Sequence, residues 1–102
     1  MNISEIIKEL NKLINESYGD FKGSYLYGSR AKGNAKEDSD LDVVALFDNI
    51  NKEKDFELSG IVCDLMYKYD IFIDLQVYTL EKLEKNPIYY NEVVNKGIFY
   101  AP

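Results

Sequence analysis

The stretch that decides the fold is YLYGSRAKGNAKEDSDLDVVALF, Tyr25 to Phe47. Two apolar runs flank a small, polar connection. The first run stops at Gly28-Ser29, and the second starts with two aspartates, Asp40 and Asp42, separated by Leu41. Apolar runs of this length, rich in Val, Tyr and Phe and bounded by Gly, Asn and Asp, read as strands. Residues two apart on a strand project to one side. Asp40 and Asp42 therefore put like charges together at a strand mouth, where they repel unless a cation or a shared proton compensates.

Outward from this stretch, Asn2-Ile3-Ser4-Glu5 reads as a capping box. It opens a helical stripe of Ile3, Ile6, Ile7, Leu10, Leu13 and Ile14 that ends near Ser17 to Gly19. Ser24 to Tyr27 is the first strand, and the segment Ser29 to Glu37 holds one or two helical turns and a loop. Leu41 to Phe47 is the second strand, and Asp48 to Asp55 a polar connection. Phe56 to Tyr69 is helical, with Leu58, Ile61, Val62, Leu65, Met66 and Tyr69 on its apolar side and Cys63 expected as a buried small hydrophobe. Ile71 to Tyr78 alternates as a third strand, with Ile71, Ile73, Leu75 and Val77 on one face and Phe72, Asp74, Gln76 and Tyr78 on the other. Thr79 caps a short helix through Leu83, Asn86-Pro87 opens another through Val94, and Ile98 to Tyr100 is extended after Gly97.

The order helix, strand, short helix, strand, helix, strand, helix describes an α/β domain with a small mixed sheet. Its helices are expected mainly on one face, leaving the other face open. At 102 residues, a single domain over 1–102 is expected. The formal net charge of −6 argues against non-specific DNA or RNA binding, which needs a basic surface. No apolar run approaches the ~20 residues of a membrane span. One cysteine, no histidine and no signal-peptide pattern suit a cytoplasmic protein without a structural zinc or an internal disulfide.

The chemistry-bearing residues converge on phosphate and magnesium. Gly28 permits close approach of backbone to a ligand, Ser29 can cap a helix or donate its hydroxyl, and Gly33 keeps the following turn tight. Arg30, the sole arginine among twelve basic residues, lies inside the motif and is read either as a phosphate contact or as a surface residue. A hard divalent ion such as magnesium, which takes oxygen ligands, relieves the repulsion between Asp40 and Asp42. Asp74, interrupting an apolar strand, joins them. The Walker A pattern is absent. Against this stands a plainer reading of Asp38-Ser39-Asp40 as a solvated turn, with Asp42 as an edge-strand guard.

Gly-Ser, ten residues, then Asp-x-Asp resembles the signature of the minimal nucleotidyltransferases of the DNA polymerase β-like superfamily. It stands here as Gly28-Ser29, Arg30 to Ser39 and Asp40-Leu41-Asp42. IFIDLQVY resembles the strand carrying the third acidic residue, and VVNKGIFYA the closing segment. The resemblance implies that Asp40 and Asp42 bind two magnesium ions between them. Asp74 joins them at the ion nearer the attacking hydroxyl, and Gly28 and Ser29 hold the β- and γ-phosphates of ATP. Lys32 stands where many relatives carry arginine, which keeps the charge and loses the bidentate fork.

The implied reaction is transfer of AMP from ATP to a hydroxyl, with release of pyrophosphate. Stand-alone domains of this kind also resemble the antitoxin half of a module whose partner is an all-helical HEPN ribonuclease toxin, AMP being placed on a toxin tyrosine. No acceptor-binding domain is expected after Pro102, so the acceptor is expected on a separate chain, in a hetero-oligomer. Tyr78, Tyr89, Tyr90, Ile98 and Phe99 are candidates either for that docking surface or for the domain's own core. A small-molecule acceptor and a non-catalytic module that blocks its partner by contact are the alternatives.

Overall fold

The computed structural model describes residues 2–33 and 39–102. Helix α1 (Ile3–Ser17) leads into strand β1 (Phe21–Tyr27), a four-residue helix α2 (Ser29–Lys32) and strand β2 (Leu41–Phe47). Helix α3 (Lys52–Tyr69) then crosses to strand β3 (Ile73–Tyr78). Two short helices, α4 (Leu80–Glu84) and α5 (Pro87–Tyr90), a π-helical turn over Asn91–Asn95 and strand β4 (Ile98–Tyr100) complete the chain.

The sheet order is β3-β2-β1-β4. The β1–β2 and β1–β4 pairs are antiparallel, whereas β2 and β3 run parallel. Parallel strands need a crossover, and α3 supplies it. The result is a mixed α/β fold around one four-stranded sheet, as the element order implied.

Helices α1 and α3 cover one face. Ile6, Ile7, Leu10 and Ile14 of α1 and Leu58, Val62 and Leu65 of α3 pack against Leu41, Val43, Ala45, Phe47 and Ile73. Burying each such side chain is worth about 1.5–3 kcal/mol. Asn2 caps α1, its Oδ1 accepting from the Glu5 amide at 3.2 Å. Within this apolar layer Asn11 is buried and fully used. Its Nδ2 donates to the Tyr100 and Ala101 carbonyls, each at 3.0 Å, and its Oδ1 accepts from Ser24 Oγ at 2.6 Å. A buried amide with partners on β1 and on the closing segment fixes how the two approach.

The second face is only partly open. Val44 and Leu46 meet Leu83 of α4 and Val93 of the π turn, with Tyr25, Tyr27, Tyr78, Tyr89 and Tyr90 around them. Tyr78, Tyr89 and Tyr90 are half-buried against this second small core, because α4, α5 and the π turn fold back over this end of the sheet. Ile98 and Phe99 do remain exposed.

Other expectations are corrected at the boundaries. Helix α3 begins at Lys52, where Asn51 Oδ1 accepts from the Lys54 amide at 2.8 Å, so the polar run to Asp55 is its first turn and not a connection. Cys63 is exposed beside the cavity between α3 and β3, and Phe56 is exposed as well. Strand β1 starts at Phe21 and carries a register shift between Phe21 and Gly23. Strand β3 starts at Ile73 rather than Ile71. The loop expected up to Glu37 lies outside the described residues beyond Gly33, as does Asp38. No described helix is long and apolar enough to cross a membrane.

Candidate functional site

Strand β1 ends at Tyr27, and Gly28 turns the chain with φ 77° and ψ −155°, a conformation that effectively only glycine adopts. Ser29 is then the first residue of α2. The Lys32 amide donates to the Gly28 carbonyl at 3.2 Å, and Gly33, at φ 75°, closes the turn by donating to the Ser29 carbonyl. The two glycines bracket a single helical turn, and each sits where a side chain would be strained.

The aspartates come from neighbouring strands. Asp42 is half-buried on β2 and is the register partner of Asp74, also half-buried, on β3. On its other side Asp42 is paired with Tyr27 of β1. Asp40 lies just ahead of β2 and is exposed. Because β2 is an inner strand, Asp42 cannot be an edge guard. Burial raises the Asp42 carboxyl above the usual carboxylate range, and the charges of Asp74 and then Asp40 raise it further.

Asp74 accepts from Gln76 Nε2 at 2.9 Å. Among the described residues, Asp40, Asp42 and Asp74 make no ion pair with Lys or Arg. Nor do any three or more His, Cys, Asp or Glu side chains among those residues form a cation cage. What the structure assembles is the pair Asp42–Asp74, with Asp40 close enough to act through its charge. A half-buried set of oxygen donors that repel one another suits a hard divalent cation.

The basic residues of the motif are tied within the fold. Arg30 donates from Nε and Nη2 to the Ser39 carbonyl, at 3.2 and 2.8 Å. Its guanidinium thereby joins α2 to the backbone immediately before Asp40. Lys32 lies 3.4 Å from Glu92 of the π turn, which also pairs with Lys96 at 3.0 Å.

Beside the aspartates, the Tyr27 and Tyr89 hydroxyls share a hydrogen bond of 2.7 Å, and their rings meet edge to face. Burial, followed by this bond, pushes the Tyr27 hydroxyl well above its ordinary pKa. Burial also raises Tyr89, so both stay protonated at neutral pH. Sequence reasoning missed this tyrosine pair, because nothing local connects residues 62 apart. The alternation that put Asp74 on the non-core face was the available signal, since Tyr27 and Asp42 share that face across the ladder.

The family described as Polymerase beta, Nucleotidyltransferase matches residues 5–99. No curated protein matches significantly. Among solved structures, a chain of a toxin–antitoxin complex with AMP-PNP superposes with a TM-score of 0.70 at 20% identity, over 99% of this chain and 75% of that one. A chain of a mutant MntA–HpeT toxin–antitoxin complex gives 0.66 at 24% identity, over 98% and 72%. A chain of a tri-AMPylated Shewanella oneidensis HEPN toxin in complex with its MNT antitoxin gives 0.63 at 19% identity, over 97% and 72%. At such identities the likeness is one of fold.

Proposed function

The chain belongs to the Polymerase beta nucleotidyltransferase family, and from that premise we propose that it transfers AMP from ATP to a hydroxyl of a separate protein. The observation that carries the reading is the Asp42–Asp74 pair on adjacent strands, with Gly28 against the Asp42 carboxylate. The proposed partner is a HEPN-type toxin with a tyrosine acceptor, which gives this chain an antitoxin role in the cytoplasm. The toxin–antitoxin relatives, one with AMP-PNP and one with an AMPylated toxin, support that choice.

In this reading Asp40, Asp42 and Asp74 would hold two magnesium ions. When bound, these ions supply charge neutralisation for the phosphate oxygens and a lowered acceptor pKa. Gly28 leaves its backbone open to the β- and γ-phosphates, and Ser29 offers them its hydroxyl. Arg30 acts one step back, holding the backbone ahead of Asp40. Asp74, on an outer strand, orients the acceptor hydroxyl and takes its proton directly or through water. The acceptor oxygen forms a bond to the α-phosphorus, the bond to pyrophosphate breaks, and the proton leaves by way of Asp74.

Calorimetry tests the donor site: ATP should bind with magnesium and poorly in EDTA, and equal affinity in both would sink the reading. Incubation with ATP, magnesium and a HEPN-type protein encoded beside this chain should add ~329 Da per AMP to that protein. The Asp40→Asn/Asp42→Asn double variant should add none. A partner that is bound and inhibited but unmodified would point to a non-catalytic antitoxin.

A further inference from the structure

Strand β3 lies at the margin of the sheet, paired among the described residues with β2 alone. The Phe72 carbonyl accepts from the Leu41 amide at 2.9 Å, which fixes the phase of the ladder. Asp74, Gln76 and Tyr78 direct their main-chain groups toward β2, so Ile73, Leu75 and Val77 direct theirs outward. Among the described residues no backbone hydrogen bond reaches these outward groups. The usual protections of an edge are missing too, for IDLQVY contains no lysine, proline or bulge.

Alongside this edge runs a cavity of about 210 Å³ between α3 and β3. Leu58, Val62, Cys63, Met66, Phe72 and Leu75 line it, and among the described residues its charged lining is Asp55 and Asp74 alone. Phe72 is 58% exposed.

We propose that the free edge of β3 docks the acceptor: an extended, apolar and cationic segment of the partner protein that adds as a fifth strand beside Ile73, Leu75 and Val77. Neighbouring strands lie about 4.8 Å apart, and side chains alternate between the two faces. A residue opposite Asp74 would therefore project on the same face as Asp74 and Asp42, where its hydroxyl meets the carboxylates. The residues before and after it would turn to the other face, into the apolar cavity beside α3. Main-chain bonds then supply affinity, and alternate side chains supply specificity. Cationic residues two positions either side of the hydroxyl residue share its face and match Asp74, Asp42 and the net charge of −6. The proposal rests on the transfer reading for the role of Asp74, whereas docking itself is measurable without transfer.

The probe is a synthetic peptide with a Lys-Val-Tyr-Val-Lys core, added to the full chain with ATP and magnesium. Amide hydrogen exchange should slow at least tenfold at Leu75 and Val77 on binding, while the Asp74 and Gln76 amides, already bonded to β2, exchange slowly throughout. Leu75→Pro removes an outward donor without removing a bond to β2, and should abolish peptide binding while ATP affinity holds. Should that variant fail to fold, Cys63→Lys places a charge in the cavity that the peptide's valines enter and should weaken the peptide about tenfold. Peptide binding that leaves Leu75 and Val77 exchange unchanged, or no binding at millimolar peptide, overturns the proposal. A peptide that protects these amides yet receives no AMP upholds the docking site and counts against the transfer reading.

Discussion

The Asp42 carboxylate occupies the space that a side chain at residue 28 would need: an ideal Cβ on Gly28 falls 2.6 Å from Asp42 Oδ2. Gly33 has nearly the same positive φ, and among the described residues nothing lies within 4 Å of its Cβ position. Both glycines therefore resist substitution for backbone reasons, and only Gly28 does so because of the site.

Comparing the two alanine variants separates these effects. Gly33→Ala should cost about 1–2 kcal/mol from left-handed backbone strain and leave magnesium-dependent ATP binding close to wild type. Gly28→Ala should cost about 1–3 kcal/mol or more and also displace the Asp42 carboxylate, with loss of ATP binding. Denaturant titration and calorimetry on both variants check this. Equal ATP affinities would mean that Asp42 accommodates the methyl group and that the contact has no functional weight.

The pH dependence of the metal-free protein should carry the mark of Asp42. Its folded pKa is raised by burial, Asp74 and Asp40, so the folded state binds more protons than the unfolded chain. Its contribution to stability then falls as pH rises from the ordinary carboxyl value of 3.8 through the raised folded value. Asp42→Asn should remove that trend and raise the melting temperature in EDTA. Melting curves between pH 4 and 8 in EDTA check the sign, and an asparagine variant that melts lower would make Asp42 a structural residue.

Asp20 works in the opposite direction. The Lys54 ammonium donates to Asp20 Oδ1 and Oδ2, at 3.0 and 2.8 Å, and to the Asn49 carbonyl at 2.6 Å. The hydrogen bond from Lys54 lowers the Asp20 carboxyl below 3.8. Its stabilisation is present above that value and is lost as pH falls through the lowered folded pKa. Lys54 is itself buried, with its Nζ 4.6 Å from the Phe47 ring centroid. Lys54→Ala should cost about 1.5–3 kcal/mol in urea unfolding and flatten the acid limb of the stability curve.

Local signals carried most of this molecule. Asn2 as a cap, the stripe from Ile6 to Ile14, the run Leu41 to Phe47 and the alternation through Asp74 each lie within a few residues, and each became the expected element. Residues 52 to 55 did not read as helix because the first turn of α3 carries no apolar residue, only a cap at Asn51. Cys63 was misplaced because periodicity locates an apolar side without saying how wide it is. Tyr78, Tyr89 and Tyr90 could not be assigned, since their burial depends on α4 and α5 folding back over the sheet. The residue types and spacing of the candidate site were legible, and the fold brings Gly28, Asp42 and Asp74 together. The partners of Arg30 and Tyr27 were not, because Ser39 lies across a turn and Tyr89 comes from α5.

Arg30 gives the last test. Its fork to the Ser39 carbonyl fits a positioning residue for Asp40, against the alternative of a phosphate contact. Lysine keeps the charge at this position but cannot donate through two nitrogens in one plane. If Arg30 positions Asp40, Arg30→Lys and Arg30→Ala should lower kcat for AMP transfer by similar factors. About 10–100-fold is expected for a displacement of the catalytic backbone by around 1 Å, with the KM for ATP little changed. If Arg30 instead held phosphate, charge would dominate: Arg30→Lys would stay near wild type, and Arg30→Ala would raise the KM. Steady-state kinetics on the two variants, with thermal melts to show that both remain folded, decides between a residue that shapes the site and one that touches the substrate.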